Sequence, residues 1–223
     1  NSNEEEVSTI NSLSSVTSTY HYKGFGFKAD FDPKSRLFNP DLSGGAILDV
    51  GLYPVSFSRL IASAALDGYS EPEKIEGTGI IGKTGVDTEA YAKLYFSKGI
   101  IAEAKTSIIN DLDNTAIVTG TKGSIILDNP WQPGKDGGPY ECSIIIKSEN
   151  INEVVKMTGP EHLFFFEAEL ASKCIIEGKV TAASPAMSIV DTLGNLTALD
   201  KWRQEIGYKL PEDDIINFYG RIK

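Results

Sequence analysis

One segment of the chain combines residues that can move a proton with a backbone that can approach a ligand closely. It runs from Leu42 to Pro54 and contains Gly44-Gly45, Asp49 and Tyr53. The glycines allow close backbone approach at the start of a helix, and side chains four residues apart share one helix face. The pKa of a phenol is about 10, so proton transfer by a tyrosine at neutral pH requires a nearby cation. These residues alone fit a catalytic pair or a buried, hydrogen-bonded Tyr–Asp packing pair.

The other chemistry-bearing residues fit turns and packing better than sites. His21 and His162 lie in unrelated elements, without the H-E-x-x-H spacing of a zinc helix. We therefore expect neither a metal site nor a serine triad. Gly120-Thr121-Lys122-Gly123 lacks phosphate-loop spacing, and no G-x-G-x-x-G follows a strand and opens a helix. The chain therefore predicts no dinucleotide site of its own.

Composition narrows the class of protein. The 223 residues are 41% hydrophobic and 23% charged, which is enough for a substantial core. With 21 Lys plus Arg against 31 Asp plus Glu, the net charge is -10, which argues against nucleic acid and anionic membranes as partners. No apolar run reaches the roughly 18 residues of a membrane span. Cys142 and Cys174 form no C-x-x-C pair, and the acidic start is unlike a signal peptide, so we expect a cytoplasmic protein.

The elements that must position these residues follow from hydrophobic periodicity. We expect a long strand from Val7 to Tyr22, an aromatic-rich loop to Pro40, and a helix from Ala46 to Ile61 weakened at Pro54. From Pro72 to about Met157 the period is two, which predicts a strand meander. Its clearest strands are Val86–Phe96, Ile100–Ser107, Thr115–Thr119, Ser124–Leu127, Ser143–Lys147 and Asn152–Met157. Two helices follow, Glu161–Glu177 and Pro185–Glu205, ended by Gly178 and Gly207.

This order predicts an α+β domain: a large, mainly antiparallel open sheet with helices packed on one face. We expect Tyr91, Tyr95 and Thr106 to point outward among charges on the other face. That face is either solvated or an interface of a homodimer or homotetramer. Phe164-Phe165-Phe166 is expected in the core, with Glu167 and Glu169 on a solvated helix face.

The segment around Tyr53 resembles a known signature. Gly44 to Tyr53 matches the G-G-x-x-x-D-x-G-x-[HY] pattern that opens the C-terminal domain of the Gfo/Idh/MocA oxidoreductases. Tyr53 and Pro54 make it most similar to the branch that contains glucose-fructose oxidoreductase and dimeric dihydrodiol dehydrogenase. The resemblance covers the chain from about Val7 to Pro211, through Arg36, Glu71-Pro72, Val86-Asp87, Thr119–Gly123 and both C-terminal helices. It implies that residues 1–223 form a single C-terminal substrate-binding and oligomerisation domain with its core at about 7–211.

The resemblance also implies that the cofactor and the substrate are bound by different domains. In such proteins a separate N-terminal Rossmann domain binds NAD or NADP and carries a Glu-Lys-Pro motif, whose Lys assists the Tyr in proton transfer. This chain has no Glu-Lys-Pro. We expect the Rossmann domain to be absent from this chain, which agrees with a chain that does not begin with Met. Alone, the chain would bind no NAD(P) and would be inactive.

The resemblance assigns roles to three residues. Tyr53 would be the general acid/base on a hydroxyl or carbonyl of a sugar, polyol or diol. Asp49 would orient Tyr53 or bind the neighbouring hydroxyl, and Arg36 would contact the substrate. Two alternatives stay open: a non-catalytic scaffold or ligand-sensing module that retains the fold, and a parent enzyme that uses the nicotinamide transiently in hydrolysis or elimination.

Overall fold

A computed structural model describes residues 19–22, 24–133, 140–182 and 186–213. The strands in these ranges are β1 Thr19–Tyr22, β2 Phe25–Gly26, β3 Lys74–Ile81, β4 Asp87–Tyr95, β5 Ile101–Ser107, β6 Thr115–Gly120, β7 Gly123–Asp128, β8 Tyr140–Ser148 and β9 Asn152–Gly159. They form one path, β3-β4-β5-β1-β6-β7-β8-β9, with β2 paired to β5 beside it. All pairings are antiparallel except those of β1 and β2 with β5. The predicted α+β class with a mainly antiparallel sheet is confirmed.

The helices that matter for the packing of the described strands are α1 Ala46–Asp49, α2 Leu52–Leu66, α3 Leu163–Ile176 and α4 Ile189–Glu205. α4 begins at a capping box between Ser188 and Asp191. Gly178 and Gly207 follow α3 and α4 with φ of 67° and 74°, the left-handed conformation that favours glycine. The predicted helix ends are thus confirmed, whereas Pro185 and the part of the predicted first strand before Thr19 lie outside the described residues.

The predicted helix from Ala46 to Ile61 is broken, but not at Pro54. α1 ends at Asp49, α2 begins at Leu52, and the axes of Pro40–Asp49 and Leu52–Leu66 differ by 46°. Pro54 has no N–H, and a proline ring excludes the carbonyl four residues before it. That carbonyl belongs to Val50, which accepts a bond from the Tyr53 N–H at 3.4 Å instead. Pro54 therefore lies in the first turn of α2, and its effect appears one turn upstream.

The helices α1, α2 and α4 cover one face of the β3–β5 half of the sheet. Along β4, Ala90, Ala92 and Leu94 are buried in the core beneath them, while Tyr91 and Tyr95 alternate to the other face as predicted. The outward placement of Thr106 was wrong. Alternation along β5 puts it on the same side as Ala102 and Ala104, where its hydroxyl donates to the Ala46 carbonyl at 3.1 Å.

Two glycines in β3 serve this packing. Gly77-Thr78-Gly79-Ile80-Ile81-Gly82 has the spacing of a dinucleotide fingerprint, but it lies in a strand and β4 follows it. A Cβ on Gly77 would lie 2.9 Å from the Trp202 ring, and one on Gly79 would lie 2.9 Å from Ile206. These glycines therefore allow α4 and the residue after it to approach the strand, and they bind no phosphate.

The core prediction for Phe164-Phe165-Phe166 was wrong. All three side chains are exposed, and α3 buries none of its residues. The physical reason is that α3 packs closely against no other described element, so its apolar side chains have no neighbouring apolar surface to contact.

Among the described residues no single helix is long and apolar enough to cross a membrane. Only the bent pair Pro40–Asp49 with Leu52–Leu66 meets that criterion, by length and composition.

Candidate active site

Arg36 and Asp49 form an ion pair at the end of α1. The Arg36 Nη1 donates to the Asp49 Oδ1. The Arg36 side chain is 70% exposed and that of Asp49 is 16% exposed. The loop that carries Arg36 is held by bonds from Phe38 and Asn39 N–H groups to the Ser35 carbonyl, at 3.2 and 3.0 Å, and by the buried Phe38 ring. A cation thus lies next to Asp49, on a guanidinium that solvent reaches.

Tyr53 lies in an aromatic cluster. Its ring meets Phe25 edge-on, with centroids 5.0 Å apart, and Trp131 at 6.3 Å. Phe25 stacks on Trp131 at 6.3 Å, and Phe57 contacts Trp131 at 5.9 Å. Phe25 and Trp131 are buried, whereas Tyr53 remains 42% exposed. The aromatic cluster of Phe25, Tyr53, Phe57 and Trp131 therefore holds the Tyr53 ring in place by edge-to-face contacts and leaves part of that ring accessible to solvent.

The packing-pair alternative for Tyr53 and Asp49 was wrong. The break after Asp49 places the two residues on different helices, so their four-residue spacing no longer aligns them on one face. Asp49 bonds to Arg36, and within the described residues nothing hydrogen-bonds to the Tyr53 hydroxyl. The structure thus leaves this hydroxyl open to a ligand.

A buried clamp holds the backbone at the start of α1. The Asp87 Oδ2 accepts from the Ile47 N–H at 2.9 Å, and Thr106 donates to the Ala46 carbonyl. The Tyr208 hydroxyl donates to the Gly44 carbonyl at 2.7 Å. Asp87, Thr106 and Tyr208 come from β4, β5 and the segment after α4, and all are buried. This clamp connects the start of α1 to three separate parts of the domain.

Burial shapes the protonation of the clamp. It raises the pKa of Asp87 to about 6, against the bonds from the Ile47 and Ala46 N–H groups and the charge of Arg203, which lower it. The second carboxylate oxygen, Oδ1, is buried without a hydrogen bond. Burial together with the charge of Asp87 raises the pKa of Tyr208 to about 12. Tyr208 is therefore a neutral donor, and Asp87 is the member that titrates near neutrality.

Gly45 is required by this clamp. Its φ is 113°, and a Cβ there would lie 2.2 Å from the Asp87 Oδ1. No residue with a side chain fits that space without moving the carboxylate. The Gly44-Gly45 pair in the sequence thus marks a close contact with Asp87.

Sequence reasoning missed the aromatic cluster and the clamp. Phe25 and Trp131 lie in segments whose Gly and Pro content predicts loops, and bulky aromatics in such segments were the available signal. The clamp had no such signal, because Asp87 and Tyr208 are separated from Gly44 by 40 residues or more. In the described part of the chain, no group of three His, Cys, Asp or Glu could hold a metal ion.

Residues 9–126 match the family model of the GFO/IDH/MocA C-terminal domain. The chain belongs to this family. It is 28% identical over 195 residues to the trans-1,2-dihydrobenzene-1,2-diol dehydrogenase of Mus musculus, covering 85% of this chain and 54% of that protein. The Homo sapiens protein of the same name is 30% identical over 179 residues, covering 77% and 49%. The chain thus spans about half the length of these relatives.

Two solved structures share the fold of this chain. The aldose-aldose oxidoreductase of Caulobacter crescentus, complexed with glycerol, has a TM-score of 0.66 at 18% identity, covering 91% of this chain and 57% of that one. A mutant of a 3-ketoreductase from Actinomadura kijaniata, in complex with TDP-benzene and NADP, has a TM-score of 0.65 at 17% identity, covering 89% and 58%. In the described part of this chain the strands build no doubly wound parallel sheet, so this part contains no Rossmann domain.

Proposed function

We propose that this chain is the substrate-binding domain of an NAD(P)-dependent oxidoreductase acting on a hydroxyl or carbonyl group of a sugar, polyol or diol. The observation that carries the proposal is the Tyr53 hydroxyl, exposed and without a described hydrogen-bond partner, at the signature segment that the Arg36–Asp49 pair and the aromatic cluster flank. Dehydrogenases of diols and oxidoreductases of sugars among the relatives and neighbours support the substrate class. We take residues 1–223 as one domain with its core at about 7–211.

The polar groups of the site have distinct proposed tasks. In oxidation, the Tyr53 hydroxyl would accept the proton that leaves the substrate hydroxyl, and in reduction it would return it. The Asp49 carboxylate and the Arg36 guanidinium can each hydrogen-bond a neighbouring hydroxyl, one as acceptor and the other as donor. The buried clamp holds the start of α1, and so keeps Asp49 at a fixed place relative to the sheet.

The nicotinamide cofactor does not fit the described residues. Gly77 and Gly79 lie in strand β3 and pack against Trp202 and Ile206, and the space beside Gly45 is occupied by the Asp87 carboxylate. We therefore assign cofactor binding to another domain of the intact protein, where a bound nicotinamide supplies or accepts the hydride. The same domain would also supply the cation that Tyr53 needs for proton transfer near neutral pH. Arg36 is not that cation, because it is bonded to Asp49 and neutralises that carboxylate.

Replacing Tyr53 tests the proposal. In the protein expressed together with its upstream coding sequence, Tyr53→Phe should lower turnover of a diol or sugar by about 100-fold or more, because it removes the proton-transfer group. Cofactor affinity should stay unchanged, as measured by NAD(P)H fluorescence. Tyr69→Phe, another exposed tyrosine, is the matched control and should keep turnover.

Two results would contradict the proposal. Near-normal turnover of Tyr53→Phe would remove its assigned role, and absence of any turnover in the unsubstituted two-domain protein would favour the scaffold or sensing alternative. The chain alone should be inactive and should not bind NAD(P)H in fluorescence titration, and micromolar binding would contradict the assignment of the cofactor to another domain.

We further propose that the intact protein is a cytoplasmic homo-oligomer that associates through the outer face of β3–β5. Both cysteines are free, as is usual in the reducing cytoplasm. On the outer face, Lys93 pairs with Glu103 at 3.4 Å and Lys105 pairs with Glu89 at 3.6 Å, next to Tyr91 and Tyr95. A flat sheet face that mixes aromatics with ordered charge pairs can match a second copy of itself.

A further inference from the structure

Exposed apolar side chains are concentrated between Leu163 and Leu196. This stretch holds more than half of the large apolar side chains that are exposed in the described residues. In α3 the exposed fractions include 59% for Phe164, 77% for Ile175 and 84% for Ile176. In the first turns of α4 they are 63% for Ile189 and 59% for Leu193. Apolar surface of this extent on a domain marks a contact site.

α3 lacks the support that a helix in water needs. It has 14 residues, a length at which isolated helices are marginal even with favourable sequences. Its local support is the His162 cap on the Phe164 N–H at 3.3 Å and the Glu169–Lys173 ion pair at 3.0 Å. Each such feature contributes about 1 kcal/mol or less. A packing surface is therefore missing from the described residues.

The core of the domain does not need this surface. The second half of α4 supplies Ala198, Leu199 and Trp202 to the core, while its first half exposes Ile189 and Leu193. One helix is thus divided along its length between the described core and a second contact. α3 contributes no buried residue to the described core.

We propose that α3 and the first turns of α4 form the docking surface for an N-terminal domain of the same polypeptide. This inference rests on the two-domain arrangement of the proposed function. The matched family model is that of a C-terminal domain, and the chain covers 54% of the Mus musculus relative and 57% of the Caulobacter crescentus structure. Each of those proteins therefore has further sequence of comparable length, which is enough for a domain of the size that this surface requires.

The chemistry of this surface fits contact with a domain that belongs to the same polypeptide. Glu169 pairs with Lys173 and Glu177 pairs with Lys179, so these four charges are balanced in place, and Glu167 is the further charged residue of α3. Most of the other exposed side chains are apolar, and apolar contact of this kind is typical of obligate interfaces. A domain that stays attached keeps such a surface covered at any protein concentration.

The thiol of Cys174 on α3 tests the proposal directly. Cys142 on β8 is the internal control, because both cysteines are free and partly exposed. Labelling with a maleimide is followed by mass spectrometry in the chain alone and in the protein expressed with its upstream coding sequence. We expect Cys174 labelling to slow by about tenfold or more in the longer protein, with Cys142 unchanged.

A second probe covers the case in which Cys174 reports only local changes. Ile176→Cys in a Cys174→Ser background places the thiol at an 84% exposed position and should show the same protection. Phe165→Glu in the longer protein should restore labelling, because it buries a charge in the contact. Ile81→Glu, exposed on β3 outside this surface, is the matched control and should leave protection intact.

The outcomes separate this inference from the proposed function. Equal Cys174 labelling in both proteins, alongside oxidoreductase activity of the longer one, overturns the docking surface alone. Protection without activity supports the docking surface and overturns the proposed function. Protection in the isolated chain that grows with its concentration and its sedimentation mass assigns the surface to a second copy and overturns the N-terminal domain as occupant.

Discussion

The Arg36–Asp49 pair illustrates how a site residue can matter for binding and little for stability. An ion pair whose cation is 70% exposed contributes roughly 0–1 kcal/mol to folding, because water screens it and ordering a long side chain costs entropy. The same exposure lets the guanidinium and the carboxylate reach a ligand. The pair is therefore better explained by recognition than by packing.

Substitution of Arg36 separates these two roles. Arg36→Met should change the free energy of unfolding by less than about 1 kcal/mol, measured by urea denaturation of the chain. In the two-domain protein it should raise KM about tenfold and change kcat less, because it removes one charge-assisted hydrogen bond to the substrate. Lys34→Met, in the same loop, is the control. An unchanged KM would show that Arg36 does not contact the substrate.

At the scale of elements, the start of α1 is held by contacts that leave no room for a side chain. Gly45→Ala should destabilise the chain by about 3 kcal/mol or more, because it adds strain at positive φ and pushes the Asp87 carboxylate from its place. Gly85→Ala is the matched control, since Gly85 has φ of 96° but no atom near its missing Cβ. It should cost only about 1 kcal/mol, the penalty for left-handed backbone. Equal losses in thermal unfolding would contradict the clamp.

Asp87 gives the same element a pH dependence whose sign can be worked out. Its pKa is about 6 in the folded chain against 3.8 ordinarily, so the folded state binds the proton more tightly. The contribution of Asp87 to stability is therefore greatest below about pH 4, and about 3 kcal/mol of it is lost as the pH rises through about 6. Asp87→Asn keeps an acceptor for the Ile47 N–H and cannot ionise. Relative to the unsubstituted chain, it should gain about 2–3 kcal/mol between pH 4 and pH 7 in urea denaturation.

A second carboxyl provides a control of opposite sign. The hydrogen bond from Arg203 lowers the pKa of Asp213, so its contribution is present at neutral pH and disappears in acid. Relative to the unsubstituted chain, Asp213→Asn should therefore lower the free energy of unfolding more at pH 7 than at pH 4. Parallel pH profiles for Asp87→Asn and the unsubstituted chain would show that Asp87 does not titrate in this range.

Element types were predictable from the sequence, and their mutual contacts were not. The strand patterns of β4 and β5 and the glycines after α3 and α4 are local signals, and the structure confirms the strands and the helix ends that they predict. The break before α2 was misplaced, because Pro54 acts on a carbonyl four residues upstream. Thr106 was assigned to the wrong face of β5, which amounts to a shift of one residue in the alternation. The clamp joins residues far apart in the chain, which periodicity does not register.

At the scale of the whole molecule, two surfaces of the described part of the domain differ in character. The outer face of β3–β5 is polar and ordered by ion pairs, and the surface of α3 and early α4 is apolar. A polar face suits association that complementary charges direct, whereas an apolar one suits a neighbour that never leaves. We therefore assign the first to a second copy of the protein and the second to the attached domain.

Charge exchange on the outer sheet face tests the first assignment. Lys93 and Glu103 lie opposite each other in the β4–β5 register, 3.4 Å apart at their charged atoms. Lys93→Glu places like charges together and should weaken self-association of the two-domain protein at least tenfold in sedimentation velocity. The double exchange Lys93→Glu with Glu103→Lys restores opposite charges within the pair and should recover part of the association. Lys122→Glu, in the exposed turn after β6, makes the same change in net charge away from this face and should have no effect. A sedimentation mass that Lys93→Glu leaves unchanged would place the oligomer contact elsewhere, because an unpaired carboxylate buried in a contact through this face would be costly.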